Sequence, residues 1–87
     1  MGPFIVRLDG NATSLVLRPY RWNRIVNILF VEAPVGVGFS YSDTGDYACD
    51  DDRTALENMA AVQEFYRLFP ELLSNPLFIA GESYAGV

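Results

Sequence analysis

Histidine is absent from the 87 residues, so a mechanism that needs an imidazole base cannot be completed by these side chains. The single cysteine, Cys49, excludes a disulfide within the segment and falls far short of a zinc-ligand set. Pairing with a cysteine elsewhere and a free thiol are equally open. No stretch approaches the roughly 20 consecutive apolar residues of a membrane span. The start, Met1-Gly2-Pro3-Phe4, has neither the charged beginning nor the apolar middle of a signal peptide; for a secreted parent, the signal lies upstream. Basic charge is also scarce. Six Lys and Arg stand against eleven Asp and Glu, a net charge of −5, which argues against nucleic acid and anionic membranes as partners.

What is present is apolar. The length bounds the chain to one domain or part of one, and with 51% hydrophobic and 14% aromatic residues the balance suits a segment from the interior of a larger α/β protein better than a small soluble module. Phe4-Ile5-Val6-Arg7-Leu8 and Ser14-Leu15-Val16-Leu17-Arg18 read as strands on either side of an Asp9-Gly10-Asn11 turn, a hairpin with a connection of about four to five residues. Asn11-Ala12-Thr13 in that connection matches the acceptor pattern for N-glycosylation, and it also reads as a plain polar turn. Trp22, in the loop Pro19 to Asn23, is expected to be a packing anchor. Ile25 to Val31 is almost unbroken in apolar and β-branched residues, as in a strand covered on both faces at the centre of a mostly parallel sheet.

Gly36 and Gly38 follow in a loop from Glu32 to Ser42. Without a third glycine, a Lys-Ser/Thr pair or an immediate helix, they do not read as a phosphate cradle. They suit a loop leaving the C-terminal edge of a strand, where α/β sheets place ligands. Asp50-Asp51-Asp52 supplies capping carboxylates at a helix start rather than a calcium loop. From Thr54 to Phe69, Leu56, Met59, Ala60, Phe65 and Phe69 recur at threes and fours with Val62 beside them, an amphipathic helix with Arg53, Glu57, Glu64 and Arg67 on its polar side. Pro70 and Ser74-Asn75-Pro76 interrupt it before a last apolar run, Leu77 to Ala80. Strand, helix and strand from Ile25 to Ala80 are thus expected to form a right-handed βαβ unit.

That run leads into Gly81-Glu82-Ser83-Tyr84-Ala85-Gly86, a strand followed by Gly-x-Ser-x-Ala-Gly. The pattern is that of a nucleophile elbow, in which a sharp turn lifts a serine hydroxyl clear of a sheet and close to backbone N–H groups that stabilise an oxyanion. Gly81 and Ala85 keep the crowded flanks of such a turn small.

Taken together, Trp22-Asn23, the stretch from Asn27 to Ser42, Phe69-Pro70-Glu71 and Gly81 to Gly86 closely resemble the serine carboxypeptidases, peptidase family S10. The likeness covers nearly the whole chain, and the glycine loop and elbow occur in the right order. The resemblance implies an α/β fold class: a fragment of an α/β-hydrolase fold made of an N-terminal hairpin, a central strand, a crossover helix and a nucleophile strand. Residues 1–87 would be one partial domain, incomplete at both ends. It implies Ser83 as nucleophile and Tyr84 as the residue whose backbone N–H forms half the oxyanion hole and whose ring lines the pocket for the penultimate residue. It implies Glu82 as a ligand of the substrate's terminal carboxylate; two carboxylates in contact repel unless one is protonated, which ties that recognition to acidic pH. The structural alternative for Glu82 is a solvent-facing turn residue.

By the same resemblance the substrates are peptide or protein C-termini, with no cofactor, no metal, no nucleic-acid partner and no membrane insertion, in a parent of the lysosome, vacuole or secretory pathway. Oligomeric state stays open. Glu32 stands where many relatives have Asp. The Asn-Gly-Gly-Pro-Gly segment that supplies the second oxyanion donor, and the triad Asp and His, are not among these residues, so the segment alone is expected to be inactive. A silent truncated product or binding remnant, and an acyltransferase of the same fold, are the alternative readings.

Overall fold

The computed structural model describes residues 1–86, and the chain divides into two units, Met1–Phe30 and Val31–Val87. The first is built on an antiparallel hairpin of β1 (Phe4–Asp9) and β2 (Ala12–Leu17). Its register pairs Phe4 with Leu17, Val6 with Leu15 and Asp9 with Ala12. Only Gly10 and Asn11 are left to make the turn, shorter than the connection expected from the sequence. A two-residue hairpin loop needs a positive φ at its first central residue in the II′ form, and Gly10 supplies it at φ 63°. Asn11 is therefore at an exposed loop tip.

The strands alternate as a period of two dictates. Ile5 and Val16, opposite each other, are half-buried, whereas Phe4, Val6, Leu8, Leu15 and Leu17 on the other face are exposed. Beyond β2 the Arg18 N–H donates to the Pro3 carbonyl at 2.7 Å, and a short 3₁₀ turn spans Trp22–Arg24. Trp22 is 54% exposed, so the expected packing anchor is not one within this unit.

The second unit holds helix α1, Asp51–Leu68. It begins where the sequence places its cap: the Asp50 side chain accepts from the Arg53 N–H at 2.7 Å, satisfying one of the helix's orphan donors. Asp51 and Asp52 occupy the first turn and Arg67 the last, each at the end its charge favours. The Arg53 Nε donates to Glu57 at 2.8 Å and Arg67 is bidentate on Glu64. Phe65 stacks near Phe69 with ring centroids 5.1 Å apart. The helix stops at Pro70, which opens a 3₁₀ turn at Pro70–Leu72.

Three expectations require correction. Ile25 to Val31 is not a strand, and neither is Leu77 to Ala80, so no βαβ unit forms among the described residues. A strand inside a sheet satisfies its backbone only through a neighbour, and the hairpin is the only paired sheet described. The apolar face of α1 is also differently placed. Leu56 and Met59 are 72% and 61% exposed, while the half-buried stripe runs through Arg53, Glu57, Asn58, Ala61, Val62 and Phe65. No strand forms among the described residues of the second unit for Leu56 and Met59 to cover. The half-buried stripe instead faces the loop from Val31 to Ser42 and Asp46, to which Arg53 is paired at 3.0 Å.

No described residue is buried. The chain leaves 7671 Å² exposed, where a folded protein of 9.7 kDa leaves about 5,100 Å². Residues 1–87 expressed alone are therefore expected to bind a hydrophobic dye strongly and to sediment as aggregates, where a packed domain would do neither.

A second expectation concerns acid. The Ala48 N–H, then Arg53, hold the Asp46 carboxyl below its ordinary value, and Arg67 does the same for Glu64. For a carboxyl lowered on folding, the stabilisation is complete above its unfolded pKa and disappears as pH falls through the folded one. A peptide covering residues 43–73 should thus lose helical circular dichroism on acidification below the ordinary carboxylate range. The Asp46→Asn, Glu64→Gln variant should show less helix at neutral pH and a shallower acid loss.

Candidate active site

Two segments, both in the second unit, hold the glycine loop and the Gly-x-Ser-x-Ala-Gly turn. The first is the loop from Glu32 to Ser42, which contains a cis Ala33–Pro34 bond. Val37 N–H donates to the Pro34 carbonyl and Ser40 N–H to the Val37 carbonyl, two successive tight turns. Gly36 and Gly38 take φ of 90° and 54°, values that cost an L side chain about 1–2 kcal/mol. At both positions the missing Cβ has a second reason. At Gly36 it would meet the Tyr47 ring at 2.8 Å, and at Gly38 it would land on the Glu32 carboxylate.

Glu32 is the staple of this loop. Its Oε2 accepts from the Phe39 N–H at 2.7 Å, and its backbone carbonyl accepts from the Ser40 hydroxyl. A carboxylate that receives a backbone N–H makes a charge-assisted bond, stronger than a neutral one. The loop thus folds around Glu32, and Gly38 is bare because Glu32 lies beside it.

The second segment is Gly81 to Gly86. Ser83–Gly86 forms a single 3₁₀ turn, with the Ala85 N–H donating to the Glu82 carbonyl at 3.1 Å. Ser83 has φ 56°, the only positive φ outside glycine among the described residues. Serine gains nothing locally from the left-handed region, so the surrounding turn imposes it. A Cβ on Gly81 would run into the Ala85 carbonyl, which is why that flank must be small. Glu82, Ser83 and Tyr84 are all exposed on this turn. The Tyr84 hydroxyl donates to Asp51 Oδ1 at 2.6 Å, across 33 residues. That bond, then the Asp51 charge, raises the Tyr84 phenol above its ordinary value and keeps the proton on oxygen.

A family model of the serine carboxypeptidases matches residues 1–87. The chain belongs to the serine carboxypeptidase family. It is 50% identical over 86 residues to the lysosomal protective protein of Mus musculus, covering 99% of this chain and 18% of that protein. It is 50% identical over 78 residues to serine carboxypeptidase-like 21 of Arabidopsis thaliana, covering 88% and 16%. With serine carboxypeptidase 1 of Hordeum vulgare it shares 42% over 90 residues, covering 99% and 18%. No solved structure matches. The chain spans under a fifth of the length of these relatives. An α/β-hydrolase fold goes with the family, and the described hairpin and helix accord with a part of one.

Sequence reasoning singled out Glu82, Ser83 and Tyr84, and these lie together on one turn. Asn11, at the hairpin tip, lies in the other unit. Two residues escaped that reasoning. Glu32 carried a signal, an acid a few residues ahead of a Gly-x-Gly loop. Asp51 reads from the sequence as part of the helix cap, and no spacing rule links it to a tyrosine 33 residues later.

The loop geometry can be tested in the complete protein containing this segment. Gly38 and Gly45 both have positive φ, but a Cβ at Gly45 meets open space. Gly45→Ala should cost about 1 kcal/mol of stability from conformation alone. Gly38→Ala should cost clearly more, and Glu32→Ala should remove the excess in a double-mutant cycle on thermal unfolding. Equal costs at the two glycines would mean that Glu32 does not fill that space.

Proposed function

We propose that this chain carries the nucleophile segment of a serine-type carboxypeptidase, which removes C-terminal residues from peptides and proteins through an acyl-enzyme on Ser83. The observation that supports the reading most directly is the φ of 56° at Ser83, backbone strain at the serine of a Gly-x-Ser-x-Ala-Gly turn in a member of this family. Strain in this place is what an elbow stores to hold a hydroxyl out of its sheet.

In the proposed reaction the Ser83 Oγ attacks the carbonyl carbon of the last peptide bond while a base takes its proton. The oxyanion that forms accepts from the Tyr84 backbone N–H, at the position an elbow reserves for the donor after the nucleophile. The terminal amino acid leaves with a proton, and water releases the acyl group from Ser83. Glu82 meets the terminal carboxylate. The base is a histidine and its orienting partner an aspartate, both outside the 87 residues, together with the second oxyanion donor. In the complete protein, where neighbouring strands would supply a ladder, Leu77 to Ala80 would pair as the nucleophile strand and Ile25 to Val31 as the central strand. The parent's place is the lysosome, vacuole or secretory route, in keeping with a relative named as lysosomal; among the described residues no helix is long and apolar enough to cross a membrane.

The test is active-site labelling. The complete protein should incorporate a serine-directed phosphonate at Ser83 and release the C-terminal residue of a blocked dipeptide. Ser83→Ala should abolish labelling and lower turnover by about 10⁴ or more. Residues 1–87 alone should do neither. Labelling with no release of amino acid, but transfer of the acyl group to an added alcohol, would identify an acyltransferase instead. A folded complete protein that leaves Ser83 unlabelled would overturn the reading.

A further inference from the structure

The elbow turn is held to itself by little: among the described residues its internal backbone bond is Ala85 N–H to the Glu82 carbonyl. Tyr84, next to Ser83, is 68% exposed, so packing does not settle where its ring points. Its hydroxyl does have a fixed partner, Asp51 Oδ1 at 2.6 Å. This is the side-chain hydrogen bond of longest sequence separation in the second unit. A tyrosine ring has two torsions; with its backbone set in a turn and its oxygen tied, both are determined.

Asp51 is well placed for that duty. It is the first residue of α1, where the helix dipole favours a carboxylate. The capping work at that helix start falls to its neighbour Asp50, whose side chain takes the Arg53 N–H, leaving Asp51 Oδ1 to Tyr84. Asp52 has the same charge in the same turn and makes no such contact. The helix is itself a long, capped element of 18 residues, hence a firmer base than the turn it tethers.

We infer that Asp51 is a positioning residue: it sets the direction of the Tyr84 ring beside Ser83, and through that ring the fit of the substrate's penultimate side chain. The second half rests on the carboxypeptidase reading of Tyr84; the first half does not. The helix start and the elbow are thereby one assembly, joined by a single charge-assisted bond.

The experiment uses the complete protein in two arms. In the first, tyrosine is labelled with ¹³C in the ring and the Tyr84 signal is assigned by its loss in Tyr84→Phe. Asp51→Ala should shift and narrow the Tyr84 signal toward that of a free tyrosine, Asp51→Asn should move it less, and Asp52→Ala should leave it in place. In the second arm, KM and kcat are compared for peptides with phenylalanine or glycine in the penultimate position. Asp51→Ala should raise KM for the phenylalanine peptide about three- to tenfold, with little change for the glycine peptide or in kcat. Tyr84→Phe should give the same rise, the two together should give no more than either alone, and Asp51→Asn should recover part of the loss. A Tyr84 signal that responds equally to Asp51→Ala and Asp52→Ala would overturn the inference, because the effect would then be helix charge alone. Multiplying effects in the double variant would overturn it as well. Ser83 left unlabelled by the phosphonate would remove the carboxypeptidase reading, while the ring signal would still decide whether Asp51 holds Tyr84.

Discussion

Each backbone N–H and C=O removed from water needs a partner, and this constraint sorts the whole chain. A helix meets it from its own residues four apart, and a tight hairpin meets half of it from residues just across a turn. α1 and the β1–β2 hairpin exist here for that reason. The two other apolar runs, Ile25 to Val31 and Leu77 to Ala80, have the composition of strands but no ladder among the described residues. Their side chains favour a sheet, yet only a neighbouring strand can satisfy their backbone.

The same division decides what could be read from the residues. The helix start was legible because Asp50 and the Arg53 N–H are three apart, and its end because Pro70 cannot continue it. The hairpin was legible from alternation and from Asp9-Gly10-Asn11, though its turn is tighter than expected because Gly10 accepts a positive φ. The face of α1 was not. Leu56 and Met59 mark the side a sheet would cover, whereas the half-buried side faces the loop from Val31 to Ser42 and Asp46. Periodicity reports what a helix is built to bury; where it rests depends on what lies beside it.

The site divides likewise. Ser83 and its small neighbours were visible because the steric demands of the Gly81 to Gly86 turn fall within six consecutive residues. Glu32 and Gly38 were visible only as separate features, an acid and a glycine. That the carboxylate occupies the space a Cβ would need is a fact of folded geometry. The reach of Glu32 is also where the extra methylene relative to Asp finds a use, since its carboxylate closes on the Phe39 N–H at 2.7 Å. The family model spans all of these features, and the chain covers less than a fifth of the relatives' length.

The tightness of the hairpin turn has a consequence in time. Loop closure over two residues is fast, and hairpins form in about 1–10 μs, helices in under about 1 μs. Ribosomes add only about 5–20 residues each second. β1 and β2 can therefore pair, and present Asn11 at their tip, while the residues of α1 are still being added. Phe4, Val6, Leu8, Leu15 and Leu17 line one exposed face of that hairpin. In this chain the order of synthesis delivers a sticky surface first and the helix afterwards.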